Sequence, residues 1–286
     1  MTIKPFAHQL VSLKHANKTP VVLDASDAGT GKTYVTIMAF TKRRARGGGC
    51  MLVMGPRSTL RSVWLADFRK FAPHLKVVVA DAANREEAFN TEADVYVTNH
   101  DASKWLAKQK KPFFARFSEV AMDESTAYKH YTSDRSKAML KIIKYFKFRR
   151  AMTATPNTNT VVDIFHQALL LDDGKRLGKL YFPFRQQVAT PVQSTRKDGS
   201  AIANAIKWVD KEGAEEAVFN LLADIVIRHR LDDCADIPEN HQYPLMYSMS
   251  KAQQKAYEEL KATQLLKFAK TGVTAFNASA VATKLM

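Results

Sequence analysis

The segment SDAGTGKT, residues 26–33, has the residue types and spacing of a phosphate-binding loop. Its small residues let the backbone amides of residues 28–32 turn inward around an anion, and the start of a helix adds its dipole. Lys32 is expected to reach the β- and γ-phosphates of ATP, and Thr33 to ligate Mg²⁺. The predicted nucleotide-binding residues of this loop are Ala28, Gly29, Thr30, Gly31, Lys32 and Thr33. Ser26 stands where the standard pattern has its first glycine, and a plain glycine turn is the alternative.

Two adjacent carboxylates, Asp123 and Glu124, follow an apolar run in VAMDES. Asp123 would act through the metal, and Glu124 would position or deprotonate the attacking water. Taken alone, such a pair is equally typical of a solvated turn. Its position after a phosphate-binding loop favours the catalytic interpretation.

The segment TATP, residues 153–156, follows another apolar run. The hydroxyls of Thr153 and Thr155 are placed to couple the nucleotide site to another part of the protein. Taken alone, TATP is a turn.

These motifs need a sheet that brings them to one edge. Apolar, β-branched runs predict strands at residues 21–25, 50–56, 76–80, 94–99, 118–124 and 149–156. Their apolar character is continuous rather than alternating, which indicates strands buried on both faces of a mostly parallel sheet. A predicted helix at residues 32–46 ends at the glycines of GGGC. Strands alternating with helices indicate a doubly wound α/β fold.

The pattern changes twice after this α/β region. Residues 170–235 carry turn signals and helical stretches with little strand signal, which predicts a helical protrusion. A proline-containing connector begins at residue 236, and residues 249–270 predict a helix with Ser250 as its N-cap. The predicted domains are therefore 1–169, 170–235 and 236–286.

Composition limits the possible classes of protein. The 286-residue chain is 46% hydrophobic and 25% charged, which argues against disorder and coiled coil. No apolar run approaches the roughly 20 residues of a membrane span, and the start lacks a signal peptide, so a cytoplasmic, unsecreted protein is expected. Two cysteines exclude a disulfide framework.

The charge balance favours a polyanionic partner. With 43 basic and 28 acidic residues, the net charge is +15, which favours a partner such as nucleic acid. Three basic clusters, at residues 42–46, 108–111 and 144–150, are equally consistent with solvated helix faces or strand flanks.

Taken together, the motifs resemble helicase superfamily 2, and within it the Snf-type branch with its Swi/Snf remodellers and short bacterial and phage relatives. KPFAHQL, residues 4–10, is similar to the opening of that branch, where Gln9 would read the adenine edge. The segments at residues 52–73 and 95–101 resemble two motifs that touch the DNA backbone. The resemblance places Pro56, Arg57, Ser58, Thr98 and Asn99 on this track, whereas Trp64 and Phe68 belong to the core.

The resemblance implies a RecA-like, ATP-binding N-terminal lobe of an ATP- and Mg²⁺-dependent DNA translocase or helicase. Backbone contacts imply little sequence specificity for DNA. A nucleotide-dependent DNA-binding scaffold without efficient turnover is the alternative. A P-loop kinase acting on a small molecule is disfavoured by TATP and by the basic charge balance.

Two departures from the family pattern carry expectations. The usual DEAH or DEGH reads DEST here, with Thr126 in place of the histidine, so coupling between hydrolysis and TATP is expected to run differently. Residues 278–286 resemble the start of a helix in the second lobe, so the chain is expected to stop within that lobe. The family's arginine fingers lie there, and this chain alone is expected to be nearly inactive as an ATPase.

Overall fold

A seven-stranded parallel sheet carries the motifs described above. The structure, a computed structural model, describes residues 4–195, 201–234, 243, 246, 248–263, 265–267 and 272–274. It divides into two units, Met1–Asp236 and Ile237–Met286. The strands of the first unit are β1 (Val21–Asp24), β2 (Cys50–Gly55), β3 (Val77–Ala80), β4 (Val95–Asn99), β5 (Phe117–Asp123), β6 (Phe148–Met152), β7 (Ala189–Thr195), β8 (Ala201–Asp210) and β9 (Val226–Ile227).

The sheet order is β3-β4-β2-β5-β6-β1-β9, and every neighbouring pair is parallel. All six strands predicted from the sequence are present, with ends shifted by at most four residues. β9 is the one strand of this sheet that the sequence pattern missed. The predicted doubly wound, mostly parallel α/β fold is confirmed.

Helices connect the strands and cover both faces of the sheet, as parallel connections require. They are α1 (Ala7–Lys18), α2 (Lys32–Arg44), α3 (Ala66–Phe71), α4 (Arg85–Asn90), α5 (Ala102–Leu106), α6 (Lys111–Phe114), α7 (Asp134–Ile142), α8 (Ile164–Asp172), α9 (Tyr181–Val188), α10 (Ala214–Leu222) and α11 (Leu231–Cys234). A π-helical segment, Leu60–Leu65, leads directly into α3. Among the described residues, no helix is long and apolar enough to cross a membrane.

Side chains that alternate along the strands build two separate cores. In β2, Leu52 and Met54 belong to the core on one face of the sheet, whereas Met51 and Val53 belong to the core on the other. All six residues of β2 are buried, because this strand lies inside the sheet with a layer on each face. The continuous apolar runs of the sequence therefore have the predicted cause.

The parallel arrangement brings the chemical motifs to one edge of the sheet. Lys32 begins α2 directly after the loop that follows β1, β5 ends at Asp123, and Thr153 directly follows β6. β6 lies between β1 and β5, so the three motifs are neighbours. Ligands of open α/β sheets bind at this carboxyl edge.

Residues 170–235 are mixed rather than mainly helical. They contain α9, α10 and α11, but β7 and β8 pair as an antiparallel hairpin and β9 joins the main sheet beside β1. Val192, Ile206 and Val209 of the hairpin are exposed, so its strands are not buried on both faces. Their sequences therefore lack the continuous apolar run that predicts a buried strand. β9 is two residues long, too short to give a pattern. Residues on both sides of position 169 belong to the unit Met1–Asp236. The domain boundary expected there stays a prediction.

The second unit, Ile237–Met286, contains α12 (Lys251–Thr263) and the antiparallel strands β10 (Leu265–Lys267) and β11 (Gly272–Thr274). Ser250 accepts a hydrogen bond from the Gln253 amide at 3.3 Å through its hydroxyl, so the predicted N-cap is confirmed. The observed helix α12, Lys251–Thr263, is shorter than the helix predicted at residues 249–270. The segment at 278–286 lies outside the described residues.

Candidate nucleotide site and nucleic-acid track

The loop between β1 and α2 has the backbone of a phosphate-binding loop. Gly29 and Gly31 both have φ of +85°, in the left-handed region that favours glycine. Helix α2 begins at Lys32, so its free amides face the loop. The Lys32 ammonium lies back over the loop and donates to the carbonyls of Ser26 and Asp27 at 2.6 and 2.9 Å.

Contacts with the segment after β9 explain the unusual Ser26. Its hydroxyl accepts a hydrogen bond from the His229 amide at 3.1 Å. The next residue, Asp27, accepts from the Leu231 amide at 2.9 Å and so holds the start of α11. A glycine at position 26 would lack the oxygen that satisfies His229. The departure from the standard pattern therefore fastens the loop to a segment 203 residues away.

Helix α1 packs Gln9 against the same loop. The Gln9 side chain is 7% exposed; its oxygen accepts from the Phe6 amide at 3.0 Å, and its Nε2 donates to the Thr30 carbonyl at 3.3 Å. The Nε2 of His8 donates to the same carbonyl at 2.8 Å. A surface cleft of about 370 Å³ opens here, and its lining includes Gln9, Thr33 and the aromatic side chains of Tyr34 and Phe71.

The carboxylates of Asp123 and Glu124 stand at the end of β5. Burial raises the pKa of Asp123, although the Trp64 indole, which donates to its Oδ2 at 2.9 Å, opposes that shift. Burial, and then the charge of Asp123, raise the pKa of Glu124. The positive charge of Lys32, at the same edge of the sheet, lowers both pKa values.

Glu124 has a strained backbone, with φ of +46° and ψ of +58°. A non-glycine residue in this region costs on the order of 1–3 kcal/mol and is common at functional sites. The strain turns the chain sharply after β5. A strained glutamate beside a partly buried aspartate, at the same sheet edge as a phosphate-binding loop, is an arrangement suited to aligning a nucleophile.

The donors at this edge suit Mg²⁺. The Thr33 hydroxyl and the Asp123 carboxylate supply hard oxygen ligands. Within the described part of the chain, no group of three or more His, Cys, Asp or Glu side chains could hold a metal ion. Mg²⁺ commonly binds through one or two protein ligands, with water and substrate phosphates completing its shell. The residues present therefore fit a magnesium ion that enters with a nucleotide.

TATP stands beside the loop, as the sequence predicts. The Thr153 amide donates to the carbonyl of Asp24, the last residue of β1, at 3.1 Å. The Thr153 hydroxyl accepts from the Thr155 amide at 3.2 Å, which closes a tight turn. Thr153 is buried and Thr155 is exposed, so the turn runs from the loop's own strand to the surface.

Only part of the predicted DNA track reaches the surface. Arg57 and Ser58 are exposed after β2, and Pro56 is partly exposed beside them. Asn99, at the end of β4, is also partly exposed and accepts a hydrogen bond from Arg85 at 3.1 Å. The Arg85 guanidinium was not predicted to lie here.

The prediction for Thr98 is wrong. Its side chain is fully buried, and its hydroxyl donates to the Ala80 carbonyl in the neighbouring strand. β4 lies between β2 and β3, so the residue before its last position still faces the interior. Thr98 therefore holds the sheet and does not present its hydroxyl to a phosphate.

Most arginines of the basic clusters stabilise the fold. Arg43 forms an ion pair with buried Glu119 at 2.5 Å, and Arg44 pairs with Asp94 at 2.7 Å. Arg149 pairs with Asp173 at 2.8 Å, and Arg150 is buried. Pairing and burial remove these four arginines from the free charge available to a nucleic acid.

The sequence pattern assigned Trp64 to the core, and the structure adds a role at the site. Trp64 is fully buried and belongs to the segment that follows Arg57 and Ser58, yet its indole N–H bonds to Asp123. A buried tryptophan usually finds a partner for its N–H. The sequence therefore indicates that the Trp64 N–H needs a partner. It does not indicate which residue that partner is, because Asp123 lies 59 residues away.

Comparisons with known proteins identify the family to which this chain belongs. The model of a family described as the SNF2-related domain matches residues 10–286. A protein of Acyrthosiphon pisum secondary endosymbiont phage 1, called putative protein p41, is 24% identical over all of this chain and 63% of its own length. The ATP-dependent helicase FUN30 of Saccharomyces cerevisiae is 32% identical over 54% of this chain and 14% of its own length. The chain thus spans less than two thirds of either relative.

Among solved structures, the SWI2/SNF2 ATPase core of Sulfolobus solfataricus in complex with dsDNA matches with a TM-score of 0.62 at 22% identity. The match covers 80% of this chain and 45% of that one. It shows that the parallel sheet and its helices have the RecA-like fold of that core.

Proposed function

Because the chain belongs to the SNF2-related family, we propose that it provides the ATP-binding lobe of a motor that couples ATP hydrolysis to movement along DNA. The observation that carries the proposal is that Lys32, Asp123 and Glu124 lie at the same carboxyl edge of the sheet, where the lysine charge lowers the pKa of both carboxylates. FUN30, the relative named above as an ATP-dependent helicase, supports the ATPase part of the proposal.

Each residue has a role that its geometry supports. The Lys32 ammonium, now bonded to two loop carbonyls, would exchange them for phosphate oxygens of ATP. Thr33 and Asp123 would hold Mg²⁺, which neutralises charge on the phosphates when bound. The Glu124 carboxylate would orient the attacking water, and its raised pKa makes it a stronger base than an ordinary glutamate. Gln9 would bind the adenine edge.

DNA is the proposed track. The Sulfolobus ATPase core is described in complex with dsDNA, and this chain has a net charge of +15. Exposed Arg57 and Ser58, with Pro56 and Asn99 beside them, would contact the phosphodiester backbone. Thr153 and Thr155 would couple the two sites. The segment from residue 236 onward would begin a second motor lobe, and near-inactivity of this chain alone stays a prediction.

Lys32→Ala tests the nucleotide site. The variant should lose ATP binding by at least about tenfold and lose hydrolysis, because the lysine contacts phosphate and no core. Thermal stability and DNA affinity should stay close to those of the unchanged protein. Lys42→Ala, at the exposed end of the same helix, is the matched control. The measurements are titration with a fluorescent ATP analogue, and turnover with and without duplex DNA.

Glu124→Gln separates a motor from a scaffold. This variant should bind nucleotide normally and lose turnover, because it keeps the shape of the side chain and removes the base. Turnover is measured on the 286-residue chain and on any longer natural chain that contains it. Nucleotide binding with no DNA-stimulated turnover in either chain would favour the scaffold. Unchanged ATP affinity in Lys32→Ala would overturn the assignment of the loop.

A further inference from the structure

A buried glutamine joins the loop of the catalytic carboxylates to TATP. Gln167 lies on α8 and is 1% exposed. Its Oε1 accepts a hydrogen bond from the Ser125 hydroxyl at 2.6 Å. Its Nε2 donates to the Pro156 carbonyl at 2.7 Å and to the Asp163 carbonyl at 3.1 Å. Ser125 follows Glu124, and Pro156 follows Thr155, so one side chain touches both motifs.

Both polar atoms of the Gln167 side-chain amide have hydrogen-bond partners. Both hydrogens of Nε2 have acceptors, and Oε1 has a donor that is itself 1% exposed. Hydrogen bonds in a low-dielectric interior are stronger than in water. Breaking one leaves a buried polar group without a partner, which costs about 1–3 kcal/mol of free energy. The two motifs therefore cannot move apart without breaking a buried bond. An apolar residue would fill the same space without joining them.

The position that departs from the family pattern does not make this connection. Among the described residues, the Thr126 hydroxyl forms no hydrogen bond; Ser125, one residue earlier, provides the donor. The segment after Pro156 is held as well, because the Asp163 carboxylate accepts from the Thr158 hydroxyl at 2.8 Å and pairs with Lys129 at 3.2 Å. A displacement of Pro156 would thus pass to this whole segment.

We infer that Gln167 is a positioning residue that transmits the state of Glu124 to TATP through the bridge of Ser125, Gln167 and Pro156. The bridge supplies a coupling path that does not use Thr126. The inference rests on the proposed function, since the state of Glu124 changes when a nucleotide occupies the loop. Gln167 is buried and both of its polar atoms bond to protein groups, so it is a positioning residue rather than a catalytic one.

Hydrogen exchange on the whole chain tests the bridge. Amide exchange at residues 153–158 is measured with and without a non-hydrolysable ATP analogue, in the unchanged protein, in Gln167→Met and in Ser125→Ala. Nucleotide should slow this exchange in the unchanged protein. Both variants should bind nucleotide within about threefold of the unchanged protein and lose most of the effect at 153–158. The double variant should lose little more than either single one, because both break one bridge.

Ser103→Ala is the matched control, since the Ser103 hydroxyl is also buried and donates to a carbonyl, that of Arg135 at 3.3 Å, in another part of the unit. It should keep the full nucleotide effect. Gln167→Met leaves Pro156 without a donor and is the variant at greater risk of misfolding. Ser125→Ala removes one hydroxyl and carries the test on its own if the first variant fails to fold.

The outcomes separate the two proposals. A full nucleotide effect at 153–158 in folded Ser125→Ala would overturn the bridge and leave the proposed function intact. Nucleotide binding by the unchanged protein with no effect at 153–158 would do the same. Absence of nucleotide binding in the unchanged protein would overturn the proposed function and the bridge with it.

Discussion

At the scale of single residues, burial of the Asp123 carboxylate is opposed by several interactions, of which the Trp64 hydrogen bond is the largest. Burial favours its neutral form, and the Trp64 hydrogen bond favours its ionised form. Trp64→Phe should raise the pKa of Asp123 further, because the hydrogen bond that favours the ionised form is removed. Protonated Asp123 is a poor Mg²⁺ ligand, so the variant should bind magnesium nucleotide more weakly than the unchanged protein at pH 6, and the difference should shrink at pH 8.

Carboxyl ¹³C NMR follows the Asp123 titration in Trp64→Phe, and nucleotide titrations at the two pH values follow its consequence. Trp105→Phe is the control, since Trp105 stacks on Phe89 at a ring distance of 5.3 Å and its substitution should leave both readouts unchanged. An Asp123 pKa that stays constant in Trp64→Phe would contradict the role assigned to the indole.

At the scale of elements, helix α1 and the phosphate-binding loop meet so closely that a Cβ at position 31 would displace the Gln9 side chain. A Cβ there would lie 2.3 Å from Gln9 Nε2, whereas a Cβ on Gly47, with a nearly identical φ of +83°, would meet nothing within 4 Å. Gly47→Ala should therefore lower the free energy of unfolding by about 1 kcal/mol from backbone strain alone. Gly31→Ala should lower it by about 2–3 kcal/mol, because displacing Gln9 also breaks its hydrogen bonds.

Urea denaturation measures both glycine variants, and nucleotide titration adds a functional readout. Gly31→Ala should weaken nucleotide affinity by at least about tenfold, since Gln9 and the loop amides both shift. Gly47→Ala should keep it. Equal losses of stability in the two variants would show that the contact with Gln9 costs nothing.

At the scale of the whole molecule, two buried histidines make stability depend on pH. Burial lowers the pKa of His100 and of His166 to about 4 in each case. The unfolded chain protonates each near pH 6.5, so between pH 6.5 and 4 it binds protons that the folded protein does not. Stability should be full above pH 6.5 and fall as the pH drops toward 4, by at most about 3 kcal/mol for each histidine.

The contribution of His100 can be isolated with His100→Gln. The His100 ring shares a hydrogen bond of 3.1 Å with the Tyr128 hydroxyl, a bond that glutamine can replace without titrating. Urea midpoints measured from pH 7.5 to 4.5 should fall less steeply in this variant than in the unchanged protein. His130→Gln, at an exposed position, should not alter the slope. Identical slopes in His100→Gln and the unchanged protein would contradict the assignment.

Runs of neighbouring residues were enough to predict the parallel sheet and the order of the motifs along its carboxyl edge. A strand buried on both faces needs a continuous apolar run, and a phosphate-binding loop needs small residues before a lysine, so both are recorded in neighbouring residues. The same local logic located Asp123, Glu124 and the Ser250 cap. Short or exposed strands, such as β9 and the hairpin of β7 and β8, bury too few apolar side chains to produce a recognisable sequence pattern.

Contacts between side chains that are distant in the sequence could be learned only from the folded structure. The hydroxyl of Ser26 satisfies an amide 203 residues away, Trp64 bonds to Asp123, and Gln167 bonds to Ser125 across 42 residues. The fold also buries Thr98 between neighbouring strands, so its side chain is not at the surface expected for the DNA track. The physical reason is that a buried polar atom must find a partner wherever the fold brings one within about 3 Å, and residue types at single positions do not specify that neighbour.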